Sequence, residues 1–168
     1  MKNIILTGFM GTGKSTVGLL VAKRLGWAFV DTDALIEKTS GKTIAQIFKE
    51  EGEKKFRQYE QTCIINVLQK DNQVIAVGGG AIFNPENKAF MDIRATIICL
   101  RASLETIMSR IKGDQDRPLL GDEVSIAKRL CEREDTYASI AWQVNTNDKN
   151  IEEIVREIEG EWRTQEST

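Results

Sequence analysis

With 168 residues, 41% of them hydrophobic and 29% charged, the chain has the length and balance of one folded domain and not of a disordered segment. A formal net charge of −2 supplies no general attraction to nucleic acid or to anionic membranes. The sequence contains no histidine, which excludes Ser-His-Asp and Cys-His catalysis and histidine-ligated metals. Cys63, Cys99 and Cys131 are far apart and form no Cys-x-x-Cys, so a disulfide framework or zinc site is excluded and a reducing compartment is expected.

In chain order, KNIILT at 2–7 reads as a buried strand closed by glycine. An export signal is the competing reading of this stretch. Gly8, Gly11 and Gly13 interrupt the apolar run and Lys14 ends it, short of an h-region and its cleavage site. No other run approaches the ~18 apolar residues of a membrane helix, so a cytoplasmic protein without a membrane partner is expected.

Residues 8–15, Gly8-Phe9-Met10-Gly11-Thr12-Gly13-Lys14-Ser15, fit G-x-x-x-x-G-K-[ST]. Glycines allow backbone N–H groups to wrap a phosphate, and the following helix adds its positive N-terminal end. Gly11, Thr12, Gly13, Lys14, Ser15 and Thr16 are therefore candidate nucleotide contacts. Lys14 reaches toward the β- and γ-phosphates, and the Ser15 hydroxyl is a candidate Mg²⁺ ligand. Residues 14–25 predict a helix ended by Gly26, and 28–32 a second strand, which completes a βαβ unit and demands a parallel sheet.

Asp31 and Asp33 follow at the end of that strand. Two apart on extended chain, their carboxylates are expected to face the same way. One could support Mg²⁺ through water while the other accepts a hydrogen bond from an acceptor hydroxyl; a plain helix N-cap is the alternative. The pattern from 34 to about 69 is helical, with breaks at Gly41 and Gly52, and carries Phe56-Arg57-Gln58-Tyr59-Glu60. Arg57 and Glu60 can pair at i, i+3, which taken alone is an ordinary surface ion pair.

QVIAVGGG at 73–80 predicts a third strand ending in Gly78, Gly79 and Gly80, where backbone N–H groups can approach a ligand closely. ATIICL at 95–100 is a fourth strand, followed by a helix over about 103–112. The polar loop at 112–122 contains Arg117-Pro118-Leu119-Leu120 and predicts a mobile lid from which Arg117 could reach a transferring phosphoryl group. A helix over about 123–138 places Arg129, Arg133 and Tyr137 on one face, and in isolation such a pattern usually marks a charged solvent face. A fifth strand at 141–146 and an amphipathic helix at 151–163 close the pattern. No repeat or linker divides the chain. The expectation is one α/β domain over 1–168, a three-layer sandwich with a five-stranded parallel sheet flanked by helices, whose motifs meet at the C-terminal strand edge.

The ordered set GFMGTGKS, DTD, FRQYE, GGG, RPLL and Arg-x-x-x-Tyr at 133–137 resembles the shikimate kinase family, within the nucleoside-monophosphate-kinase-like P-loop kinases. The resemblance spans nearly the whole chain. It implies an ATP- and Mg²⁺-dependent kinase that phosphorylates the 3-hydroxyl of shikimate, with acceptor-binding helices at about 33–60 and a lid at about 112–122. It implies Asp33, Arg57, Gly79, Gly80 and Arg133 as the shikimate site, with Asp33 on the 3-hydroxyl and the two arginines on the carboxylate. It further implies Glu60 as the group that orients Arg57, Phe48 and Phe56 as apolar walls, Asp31 near Mg²⁺, Arg110 beside the adenine, and Lys14, Asp33 and Arg117 as the catalytic residues. Val77 departs from the hydroxyl residue common before the three glycines, and NTNDKN at 145–150 lacks a proline often found there, so no adenine contact is assigned to that segment. The rival readings are a kinase of the same fold for gluconate or a nucleoside monophosphate, and a non-catalytic nucleotide-binding protein. A monomer is expected, because no broad apolar helix face is left over.

Overall fold

A computed structural model of the chain describes residues 3–112 and 123–166. Five strands form one sheet: β1 (Asn3–Thr7), β2 (Ala28–Asp31), β3 (Gln73–Ala76), β4 (Ala95–Arg101) and β5 (Trp142–Asn145). The order is β2-β3-β1-β4-β5 and every pairing is parallel. β1 lies at the centre, with Ile5 opposite Ile75 on one side and Ile97 on the other. All five of its residues are buried, as expected for a central strand covered on both faces.

The alternation along each strand sorts the core into two layers. Ile5, Ile75, Ile97 and Cys99 face one side. There they meet α3 (Ile44–Val67) through Ile64, α4 (Pro85–Arg94) through Met91, α5 (Leu104–Lys112) through Ile107, and α6 (Glu123–Ala138) through Ile126 and Tyr137. Ile4, Leu6, Val74, Ile98, Leu100 and Val144 face the other side, against Val17 and Val21 of α1 (Lys14–Leu25) and Ile154, Ile158 and Trp162 of α7 (Ile151–Glu166). This is the expected three-layer arrangement.

A third, smaller cluster of Ile36, Ile47 and Phe56 ties α2 (Thr32–Ser40) to α3 beyond the sheet edge. The expected breaks at Gly41 and Gly52 are present. Gly41 caps α2, and Gly52, at φ 82° and ψ 169°, kinks α3 between its first turns and the stretch that carries Arg57.

One region departs from the sequence reading. Residues 81–94 form a 3-10 turn (Ala81–Phe83) and then α4, neither of which the periodicity announces. Asn84 caps α4 by accepting from the N–H groups of Glu86 and Asn87, with Pro85 in the first turn. The helix runs straight into β4 without a loop, which hides its end in the sequence.

Candidate active site

β1 delivers the chain at residue 8 to the C-terminal edge of the sheet, where α1 begins. Gly8 has φ +136°, and a Cβ there would fall 2.3 Å from the Leu100 carbonyl oxygen, so no side chain fits. Gly13 caps α1 in the left-handed region, with no side chain between a ligand and the first helical N–H groups. Thr12 is buried and donates to the Phe9 carbonyl at 2.8 Å. Its side chain therefore serves the loop's own shape, and only its backbone remains for a phosphate. Lys14 Nζ donates to the carbonyls of Gly8 and Phe9 at 2.9 Å each, which holds its charge against the loop. Thr16 is exposed in the first turn of α1.

Ser15 Oγ donates to Asp31 Oδ2 at 2.5 Å. The other oxygen of Asp31 accepts from the N–H groups of Asp33 and Ala34, so Asp31 is the N-cap of α2. The strand-alternation argument for the two aspartates is thereby corrected. The extended chain stops at Asp31, and Asp33 already belongs to the first turn of α2. Asp33 instead turns toward the end of β3, where a Cβ on Gly78 would lie 2.9 Å from its Oδ1 and 3.2 Å from Glu60 Oε1. Gly78 thus sits between two carboxylates from different helices.

Arg57 donates to Glu60 Oε2 at 2.9 Å and to Glu53 Oε1 at 3.2 Å. This is no ordinary surface pair, because Glu60 is 0% exposed. Burial pushes the Glu60 carboxyl above its ordinary range, with the Arg57 charge opposing it. The guanidinium of Arg57 overlies Gly80, and a Cβ there would fall 2.6 Å from Nη1. On α6 the inward stripe consists of Ile126, Leu130, Arg133 and Tyr137, so this face meets the core and not solvent. Arg133 lies over the rings of Phe9 and Phe83, at 5.7 and 5.3 Å from their centroids. Arg57, Gly80, Phe83 and Arg133 border one cavity of about 770 Å³ that also meets Glu53, Asn84, Pro85, Glu86 and Glu132.

Phe83 was not singled out by sequence. The two rings expected to wall the pocket, Phe48 and Phe56, lie tilted against each other at 4.7 Å; Phe56 is buried against Ile36 and Ile47, and the Arg57 guanidinium lies 5.3 Å from its ring centroid. Val77 is packed in the main core and extends the β3–β1 pairing through its N–H to Leu6. Its departure from a hydroxyl residue therefore falls on a core-facing side chain.

On the other flank of the P-loop, Arg110 donates to the Gly11 carbonyl at 3.2 Å, and to Thr146 through Oγ1 at 3.0 Å and the carbonyl at 2.8 Å. Thr146 is fully buried and itself donates to the Arg101 carbonyl. Sequence gave no signal for this bracing residue, since a lone threonine after a strand is unremarked chemistry. A second cavity, of about 360 Å³, lies here between α5 and residues 147–148 and includes Arg110. Of the expected lid at about 112–122, Lys112 ends α5, and residues 113–122, Arg117 among them, lie outside the described residues.

A phosphate-binding loop with a Ser15–Asp31 oxygen pair beside it, and a separate cavity onto which Arg57 and Arg133 converge, on a parallel sheet of this order, are the arrangement of a P-loop kinase of small molecules. The family model for shikimate kinase matches residues 10–162. Shikimate kinase of Geobacter sulfurreducens is 43% identical over 160 residues, covering 94% of this chain and 88% of the relative. That of Persephonella marina is 45% identical, covering 97% of this chain and 100% of the relative. The structure of Acinetobacter baumannii shikimate kinase in complex with shikimate superposes with a TM-score of 0.91 at 32% identity, covering 98% of this chain and 94% of that one. A Sinorhizobium meliloti gluconokinase, at 15% identity and a TM-score of 0.64, shares the fold alone. The chain belongs to the shikimate kinase family, and it is an ATP-dependent kinase that works with Mg²⁺.

Proposed function

We propose that the two flanks of the cleft divide the family's reaction, transfer of the γ-phosphoryl of ATP to the 3-hydroxyl of shikimate, which gives shikimate 3-phosphate and ADP. The observation that carries this reading is the convergence of Arg57 and Arg133, from different helices, on one cavity beside the P-loop. Two guanidiniums with permanent charge and forked donors suit a small carboxylate acceptor.

On the donor flank, the backbone of Gly11, Thr12 and Gly13 and the first turn at Ser15 and Thr16 receive the phosphates, Lys14 neutralises them, and Arg110 borders the adenine. Ser15 and, through water, Asp31 would hold Mg²⁺. Their fit rests on two hard oxygens 2.5 Å apart beside the loop, and Mg²⁺ characteristically takes few protein ligands along with phosphates and water. When bound, the ion spreads the negative charge of the phosphates. On the acceptor flank, Arg57 and Arg133 clamp the carboxylate, the backbone at Gly79 and Gly80 closes on the ring, and Asp33 accepts a hydrogen bond from the 3-hydroxyl and so aims it. Phosphoryl transfer depends mainly on alignment and charge stabilisation, which assigns Asp33 to the first task and Lys14 and Arg117 to the second. On this reading Arg117→Ala lowers turnover with little change in acceptor KM.

A coupled assay of ADP release with ATP and Mg²⁺ tests the acceptor against shikimate, gluconate and nucleoside monophosphates. Turnover with shikimate is expected. Turnover only with another acceptor would transfer the chain to a sister activity, and nucleotide binding without any turnover would make it a non-catalytic binder. Among the described residues no helix is long and apolar enough to cross a membrane. The proposed enzyme acts as one domain, a monomer in the cytoplasm without a nucleic-acid partner, and light scattering of the purified chain checks the first of these points.

A further inference from the structure

The three glycines at 78–80 bring backbone to the acceptor cavity, but glycine backbone has no preferred orientation of its own. Something outside the segment must set which way its peptide groups point. The 3-10 turn that follows supplies part of this, through Ala81 N–H to the Gly78 carbonyl and Phe83 N–H to the Gly80 carbonyl. Neither bond touches the peptide between Gly79 and Gly80.

That peptide is held from α6. Tyr137 is 1% exposed, and its hydroxyl donates to the Gly79 carbonyl at 2.7 Å. Because a trans peptide is planar with its C=O and N–H opposed, fixing the Gly79 carbonyl toward α6 turns the Gly80 N–H away from α6. Gly80 borders the acceptor cavity beneath the Arg57 guanidinium. The same tyrosine also braces the second arginine's surroundings. Its ring meets Phe83 edge-on at 5.7 Å, and Phe83 is one of the two rings under Arg133. A Cβ on Gly79 would lie 3.4 Å from both Arg133 Nη1 and Tyr137 Oη, so the three groups share one junction. Burial keeps the phenol protonated, up at about 12, so it remains a donor across the working pH range.

Resting on the reading of Arg133 and Gly80 as acceptor-side groups, we infer that Tyr137 is a positioning residue for acceptor binding: its hydroxyl sets the Gly79–Gly80 peptide so that the Gly80 N–H is presented to the acceptor. Tyr137 does not touch the reacting atoms. It acts through a carbonyl that any ligand-facing N–H in this peptide must oppose.

Tyr137→Phe isolates the hydroxyl, since it keeps the ring that packs on Phe83. Losing a hydroxyl that donates to the Gly79 carbonyl and also hydrogen-bonds Arg133 should raise the KM for shikimate about tenfold. The KM for ATP should stay within about twofold, because the Tyr137 hydroxyl bonds to Gly79, which is placed on the acceptor side. In amide hydrogen exchange with shikimate bound, the Gly80 N–H should be less protected in the variant than in the parent. A shikimate KM within twofold of the parent overturns the inference. So does a parallel rise in both KM values, which would mean general loosening of the α6 packing. Arg133→Ala, assayed alongside, tests the acceptor-side reading separately. If it leaves the shikimate KM unchanged, the placement of Arg133 is wrong, while the Tyr137→Phe result still decides the role of the hydroxyl.

Discussion

The P-loop at residues 8–15 keeps its shape through backbone, with Gly8 pressed against the Leu100 carbonyl, Thr12 bonded back to Phe9, and Lys14 folded onto two loop carbonyls. The cavity beside it, which Arg57 and Arg133 share with three glutamates, is assembled from side chains on α3 and α6 and from the segment after β3, and its two arginines are each held by neighbours. Arg57 depends on the buried Glu60, and Arg133 on Phe9 and Phe83. The difference teaches where selectivity can reside. A backbone cradle binds what phosphates have in common, whereas a cavity of long side chains braced from several elements can be fitted to one acceptor. It also means that the two flanks should fail in different ways when cut.

The largest effect expected is on the donor flank. Lys14→Ala removes the one cation that the loop itself carries, and kcat should fall by about 10²–10³-fold, judged by what single stabilising donors are worth in transition states. Single-turnover assays of ADP formation check this, and a kcat within tenfold of the parent would break the donor side of the comparison.

Arg57→Ala should do two things at once. It orphans a buried carboxylate, costing about 2 kcal/mol of stability, and it weakens the acceptor. Adding Glu60→Gln should restore most of the stability, as read by urea unfolding, without restoring the shikimate KM. Recovery of both together would show that Arg57 matters only as a partner for Glu60.

Gly8→Ala should cost at least about 1–3 kcal/mol, through backbone strain and the clash of its Cβ with the Leu100 carbonyl, with loss of ATP-induced stabilisation but not of shikimate binding to the folded fraction. The smallest effect concerns pH. Burial raises the Glu60 carboxyl, so the folded state holds a proton that the unfolded chain gives up near pH ~4.3. The stability tied to that proton is complete below the unfolded value and is lost as pH rises through the folded one. Glu60→Gln should flatten this acid-side slope in unfolding measured at several pH values; an unchanged slope would place the titration elsewhere.

The same contrast governs what could be read from sequence. The P-loop is contiguous, its glycines and lysine sit at fixed spacing, and strand and helix flank it, so its place and chemistry were legible. The breaks at Gly41 and Gly52 were legible for a similar local reason. The proposed acceptor flank was suggested only by the ordered motifs of a family, because nothing local distinguishes Arg57–Glu60 from a surface pair or α6 from a solvent-facing helix. What decides those cases is burial: Glu60 lies under Gly78, and Tyr137 lies against Gly79. Asp31 and Asp33 were expected on one extended segment, and the helix start at Thr32 changed how they converge. Helix α4 was missed although Asn84-Pro85 is a fair start signal, because its direct junction with β4 leaves no stop signal. Phe83 and Thr146 act through packing and bracing that only the assembled fold creates.

The most direct test of this division is the pair of KM values of Arg133→Ala. The enzyme should show a shikimate KM raised about 10- to 100-fold, as expected for loss of a charged hydrogen-bonding partner, with the ATP KM within about twofold of the parent. An unchanged shikimate KM, or an ATP KM that rises as far, would contradict the assignment of the α6 arginine to the acceptor flank.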